Sequence, residues 1–235
     1  MIKWNEIVYE DCLDEEVGLP SLPDKSIDLG ITDPPFNIGY GNSSRKCKGW
    51  KWDDANKFYK DDKEDYLGWC KAWFKELRRV CKTVVIYCGV KNEYMWIADI
   101  EKPKGTAYRH ILNSKSGCSI SYLARLTPIL IYGELAKRLR FDYFDYMAIW
   151  GFIPHAKFIH PCPINKDFWL DLIHQLNPQT VIDPFMGSAT TAEVCMELGI
   201  KWTGYELDSA YKVDFNKRKM FVDEMNEEHG DFLDL

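Results

Sequence analysis

Asp33-Pro34-Pro35-Phe36 combines in four residues what a flat base bearing an exocyclic amino group would require. An ionised Asp33 carboxylate only accepts hydrogen bonds, and so does the Pro34 carbonyl. Two successive prolines stiffen the loop and hold these acceptors at a fixed spacing. Phe36 places an aromatic face beside them. The loop follows the apolar run Ile27-Asp28-Leu29-Gly30-Ile31-Thr32, which predicts a buried strand. The prolines stop that strand because neither has an N–H for a ladder. Taken alone, the four residues read equally well as a rigid turn after a strand.

A second stretch changes the balance. Val181-Ile182-Asp183-Pro184-Phe185-Met186-Gly187-Ser188-Ala189-Thr190-Thr191 again predicts a strand, a tight turn and a helix start. Gly187 and Ser188 allow close approach to the backbone, and a helix start offers free N–H groups. Downstream, Ile200-Lys201-Trp202-Thr203-Gly204-Tyr205-Glu206 predicts the next strand, ending in an acid placed to hold ribose hydroxyls. By itself, a Gly-containing turn followed by a surface Glu is a weak signal.

As a pair in this order, the two stretches resemble the amino-group DNA methyltransferases, in the permuted β subgroup where the catalytic motif comes first. Asp33–Phe36 is similar to their D/N/S-P-P-Y/F motif, and Asp183–Thr191 to their DPFxGSGTT motif. Ala189 departs from the latter, standing where the family carries a third small Gly. Asp11-Cys12-Leu13 resembles the family's GDCL-type segment, with Glu10 in place of Gly. His160-Pro161-Cys162-Pro163-Ile164-Asn165-Lys166 resembles an H-P-x-x-K-P segment, with altered spacing and no Pro after Lys166.

The resemblance implies S-adenosylmethionine (SAM) as cofactor. It implies that the cofactor is held by Asp11, Cys12, Asp33, Lys166, Asp183, Phe185, Gly187, Ser188, Ala189, Thr190 and Glu206. Asp11 would accept from the adenine amino group of SAM, and Lys166 would pair with its carboxylate. Asp11 as a helix cap and Lys166 as an exposed lysine are the plainer readings. Asp33, Pro34, Pro35 and Phe36 would act on an extruded base, with Asp33 favouring adenine N6. No metal is required. Cytosine N4 methylation, methylation of protein glutamine, an RNA substrate and a nucleic-acid-binding subunit without activity are the alternatives.

These residues need a scaffold. The alternation of strands and helices predicts a doubly wound, mostly parallel α/β sheet in one domain spanning 1–235. The resemblance implies seven strands, one of them antiparallel, with both motifs at the carboxyl ends of neighbouring strands. Further strands are expected at 6–11, 83–88, 108–112 and 128–132. Helices are expected at 64–80, 93–100, 167–176 and 209–224.

Hydrophobic content of 46% with 14% aromatic residues fits a globular chain. No apolar run has the length of a membrane span and no signal peptide opens the sequence, so the expectation is a cytoplasmic protein. The eight cysteines form no C-x-x-C pair and read as reduced core residues.

A net charge of −6 is ill suited to DNA when taken as a whole, but the charge is uneven. Residues 100–166 hold ten bases against four acids, leaving the acidity to the remainder. Residues 37–63 form a polar segment read as a mobile loop over DNA and cofactor, with Arg45, Lys46 and Lys48 on phosphates. Residues 134–158 carry Lys137, Arg138 and Arg140, then the aromatic run Phe141–Tyr146. This insert occupies the family's usual place for target recognition, though a helix packed on the core explains the aromatics as well. Dimers occur in the subgroup, so a homodimer is a further expectation, with no interface marked in the sequence.

Overall fold

The computed structural model describes residues 2–37, 63–112, 125–147, 158–160 and 162–230. The proposed loop bases Arg45, Lys46 and Lys48 lie outside the described residues, as does most of the 37–63 segment.

An eight-stranded sheet organises the chain. Its strands are β1 (Glu6–Val8), β2 (Ile27–Thr32), β3 (Cys81–Tyr87), β4 (Gly105–Ile111), β5 (Leu126–Gly133), β6 (Tyr143–Tyr146), β7 (Thr180–Asp183) and β8 (Lys201–Tyr205), in the order β1-β8-β7-β2-β3-β5-β4-β6. Only β5 runs antiparallel to its neighbours, β3 and β4. The expected seven strands become eight because the aromatic run adds an edge strand. β6 pairs parallel with β4, burying Phe144 while Tyr143 and Asp145 face outward. The Phe-Asp-Tyr-Phe-Asp-Tyr run repeats every three residues and so lacks the period of two of a half-buried strand; its pairing with β4 makes Tyr143–Tyr146 a strand, and the helical reading of this run does not hold.

β2 and β3 lie in the middle of the sheet and are buried on both faces, which is why they read as continuous apolar runs. One core layer packs Leu29, Ile31, Val85 and Tyr87 against Phe168, Trp169, Leu172 and Trp202. The other packs Ile27, Val84 and Ile86 against Trp73, Phe74, Leu77 and Trp96.

Helix α1 (Tyr66–Val80) begins at Asp65, whose carboxylate accepts from the Gly68 N–H at 2.9 Å. It buries Tyr66, Cys70, Trp73, Phe74, Leu77 and Val80 on one face. Helix α2 (Lys166–Leu176) is capped by Asn165 and ends at Asn177 in the left-handed region. Helices α3 (Thr190–Glu197) and α4 (Lys212–Gly230) follow the second motif. Cys12, Cys70, Cys81, Cys88 and Cys195 are free and buried. Among the described residues, no helix is long and apolar enough to cross a membrane.

Candidate active site

The register of the sheet brings the two motifs together. β2 and β7 are neighbours, pairing Leu29 with Val181 and Gly30 with Ile182, so Asp33 and Asp183 leave adjacent strands at the same end. A crevice beyond the carboxyl ends of the strands is where open α/β sheets bind ligands. A cavity of about 530 Å³ opens there. Asp11, Cys12, Asp33, Pro34, Pro35, Phe36, Asp183, Phe185, Gly187, Ser188, Thr190 and Glu206 all line it. Glu10 and Asp208 add to its acidic wall, and Lys63 and Lys91 are basic residues beside it. Trp69 and Phe185, with ring centroids 5.2 Å apart, supply an aromatic surface.

The Asp33–Phe36 loop is held by groups that spacing could not reveal. Tyr66 Oη donates to the Pro35 carbonyl at 2.7 Å, and Asn92 Nδ2 donates to the Phe36 carbonyl at 2.7 Å. Among the described residues nothing donates to the Pro34 carbonyl, so that acceptor stays available. Asn37 follows at φ +54°. Its side chain accepts from the Lys63 N–H at 2.7 Å and donates to the Lys63 carbonyl at 3.0 Å. Gly89 leaves room for the Phe36 ring, since a Cβ there would lie 3.0 Å from a ring carbon.

Asp33 is half-buried and lines the cavity. Burial and the charge of Asp183 push its carboxyl well above the usual range, while Arg109 pulls it down.

Asp183 is a hub. It accepts from Thr32 Oγ1 at 2.7 Å, Thr191 Oγ1 at 2.5 Å and the Phe185 N–H at 2.9 Å. Burial raises its carboxyl to about 6 against those three hydrogen bonds. Its oxygens therefore fasten β2, β7 and α3 to the turn. Glu206 accepts from the Gly187 and Asp208 N–H groups at 2.8 Å each, and burial raises it to about 6. The Gly187 N–H is thus already engaged. Glu206 retains lone pairs for a hydroxylated ligand.

Two expected site residues lie elsewhere. Lys166 does not line the cavity: its ammonium donates to Glu197 Oε1 at 2.7 Å on α3. Ala189 does not line it either. At φ +62° and ψ +32° its methyl points into the core and is fully buried. The extra methyl relative to Gly therefore strains the backbone without narrowing the cavity.

His160, in the same segment as Lys166, reaches the turn and lines the cavity. A Cβ on Gly187 (φ +49°) would lie 2.9 Å from its Nε2. Burial and the neighbouring Arg218 lower its pKa to about 3, so it stays neutral at physiological pH. Asp214 on α4 accepts from the Ile159 and His160 N–H groups at 2.9 Å each.

Arg218, also on α4, pairs with Glu193 and donates to the Ser188 carbonyl and, at 3.1 Å, to Ser188 Oγ. This buried ion pair braces the turn from behind. Nothing in the local sequence marks Arg218 as a buried residue of this turn.

Lys137, Arg138 and Arg140 are exposed on the connection from β5 to β6. The Arg140 N–H donates to Gln175 Oε1 at 2.9 Å, which ties that connection to α2.

The chain is similar to known proteins in sequence and in fold. Curated relatives include the type II methyltransferase M.HpaI of Haemophilus parainfluenzae, 26% identical over 85% of this chain and 70% of that one. The DNA adenine methyltransferase YhdJ of Escherichia coli is 25% identical over 87% and 79%. Among solved structures, the M1.HpyAVI–SAM complex matches with a TM-score of 0.58 at 19% identity, covering 91% of this chain and 98% of that one. The cytosine-N4-specific PvuII DNA methyltransferase matches with a TM-score of 0.66 at 16% identity, covering 91% and 85%. The N6/N4 DNA methylase family model matches residues 27–149 and 148–217, most of the sequence, and the chain belongs to that family.

Proposed function

We propose that this DNA amino-methyltransferase transfers the methyl group of SAM to the exocyclic N6 of adenine in DNA. The observation that carries the reading is the shared cavity. The Asp33–Phe36 loop faces the same space as the Asp183–Thr191 turn and Glu206.

SAM fits the residues present. Its sulfonium is a cation, and Asp11, Asp33, Asp183 and Glu206 give the cavity an acidic lining. Glu206 can accept from ribose hydroxyls, Asp11 from an adenine amino group, and the Trp69–Phe185 pair offers a stacking face. When bound, SAM supplies an electrophilic methyl.

The protein's own residues prepare the acceptor. The target base leaves the helical stack at a cost of about a few kcal/mol. Phe36 stacks on the extruded ring. The Asp33 carboxylate and the Pro34 carbonyl accept the two amino hydrogens, drawing the nitrogen toward tetrahedral geometry and freeing the lone pair from the ring. Tyr66 and Asn92 hold the neighbouring carbonyls so that the loop keeps this geometry without reorganising. The amino nitrogen becomes acidic only after transfer, so Asp33 need not be a strong base. Lys137, Arg138 and Arg140 would neutralise phosphates beside the recognition insert.

Tritium-labelled SAM, duplex DNA and nucleoside analysis test the assignment. N6-methyladenine is the expected product. N4-methylcytosine alone would move the base assignment and keep the chemistry. Label on neither base would refute the activity.

A further inference from the structure

Arg109 sits in the run of bases that the sequence suggested for a DNA face, yet it is 5% exposed. It leaves β4 opposite Thr127 of β5 and beside Phe144 of β6. Its Nη1 donates to Tyr87 Oη at 3.3 Å and its Nη2 to the Met147 carbonyl at 2.9 Å. The guanidinium lies over the Phe168 ring at 4.9 Å, and Nε is buried with no partner among the described residues. No carboxylate hydrogen-bonds it among those residues. A buried cation without a paired anion is costly, so its place calls for an acid nearby that it serves without contact.

Tyr87 points to that acid. Thr32 pairs with Ile86, so Asp33 and Tyr87 are the next residues out on adjacent strands. Both line the cavity. We propose that Arg109 is a positioning residue for methyl transfer, its guanidinium braced by Tyr87 and Met147 so as to set a positive charge behind the Asp33 carboxylate. The inference rests on Asp33 acting as acceptor for the target amine.

The groups facing Asp33 make the need plain. Asp183 on β7 opposes its ionisation, Tyr87 at the end of β3 and Cys88 just beyond it are neutral neighbours, and Arg109 on β4 is a cation that favours its charge. An unionised Asp33 would present a donor in place of one of its acceptors to the incoming amino group.

The test is the pH dependence of single-turnover transfer at saturating SAM and DNA. It compares wild type with Arg109→Met, Arg109→Lys and Tyr87→Phe. Removing the charge should move the acidic limb upward by roughly one unit or more, because an opposite charge favours the ionised acid. The rate loss, about tenfold on that limb, should shrink as pH rises. Arg109→Lys keeps the charge and should keep the limb, and Tyr87→Phe should move it by less than Arg109→Met does. An equal rate loss at every pH would reduce Arg109 to a packing residue and overturn the inference. So would an unmoved limb in Arg109→Met, or a limb displaced as far by lysine as by methionine. If Arg109→Met does not fold, Tyr87→Phe decides: an acidic limb raised above that of wild type supports the inference, and an unmoved limb overturns it.

Carbon-13 NMR of the Asp33 carboxyl, assigned with Asp33→Asn, reads the same effect without DNA. Asp33 should titrate higher in Tyr87→Phe and Arg109→Met than in wild type. Unchanged titration refutes the role of Arg109 even in an active enzyme. Absence of transfer by wild type, with the titration shift present, refutes the acceptor reading and spares the electrostatic one.

Discussion

Ala189 occupies a backbone conformation that glycine adopts without strain, so Ala189→Gly isolates what the departure from the family motif costs. Relief of left-handed strain contributes about 1–2 kcal/mol. Against it, a glycine makes the unfolded chain freer by about 0.4–1 kcal/mol. The fully buried methyl, packed in the layer that contains Val194 and Trp202, loses about 0.8 kcal/mol of burial. The terms nearly cancel. Unfolding in urea should show a change within about 1 kcal/mol, equivalent to under about 4 °C in Tm for a chain of this size. SAM affinity by calorimetry should stay within a few fold, because the methyl faces the core and not the cavity. Ala189→Val gives the opposing arm. A β-branched residue at positive φ, with two more methyls in a filled layer, should lose at least about 2 kcal/mol. Wild-type stability in Ala189→Val would show that position 189 is not left-handed. Stabilisation by Ala189→Gly of more than about 2 kcal/mol would show that the methyl is not packed.

Asp33→Ala should abolish transfer while leaving SAM affinity within a few fold, and Phe36→Ala should slow transfer by roughly 1–3 kcal/mol of lost stacking, both read by mass spectrometry of digested DNA. Full activity in Asp33→Ala would remove the basis of the assignment. Glu206 has a folded pKa raised to about 6, so in the empty protein its contribution to stability is full below its unfolded value near 4.5 and is lost as pH rises through 6. Glu206→Gln should therefore gain stability relative to wild type across that window; a pH-independent difference in Tm would contradict the raised pKa. Arg218→Met leaves Glu193 buried and unpaired and should cost about 3–5 kcal/mol in urea unfolding, with Glu193→Gln added restoring part of the loss. An additive double variant would show that the pair is not coupled. Replacing Lys137, Arg138 and Arg140 together with Ala should flatten log K against log salt by up to about 0.9 per lost phosphate contact. An unchanged slope would leave these exposed side chains as plain solvated surface.

The acidic lining of the cavity and its raised carboxyls belong together physically. Asp183 and Glu206 reach about 6 because protein covers them and little positive charge lies near. Binding a cation favours their ionised forms, so SAM affinity is expected to rise with pH between about 5 and 7 and to release protons. The Thr32, Thr191 and Phe185 donors to Asp183 keep the turn in place through that change.

Much of this was legible in the chain itself. The runs 27–32 and 181–183 are strands because continuous apolar residues bounded by proline suit the middle of a parallel sheet. The Asp33 and Asp183 motifs are recognisable by residue type and order, which is local information. β6 was not legible locally, because Phe141–Tyr146 repeats every three residues and only pairing with β4 makes Tyr143–Tyr146 a strand. What the sequence could not decide are contacts between residues far apart in it. Tyr66 and Asn92 reach the Pro35 and Phe36 carbonyls across 31 and 56 positions. Arg218 braces Ser188 from 30 residues away. Lys166 and Arg109 show the same limit from the other side: a basic residue reads as a ligand for phosphate or carboxylate until the fold gives it Glu197 or buries it behind Tyr87. Ala189 was visible as a departure, but whether its methyl met the cofactor or the core depended on a φ angle that the turn sets only when β7, α3 and β8 pack around it.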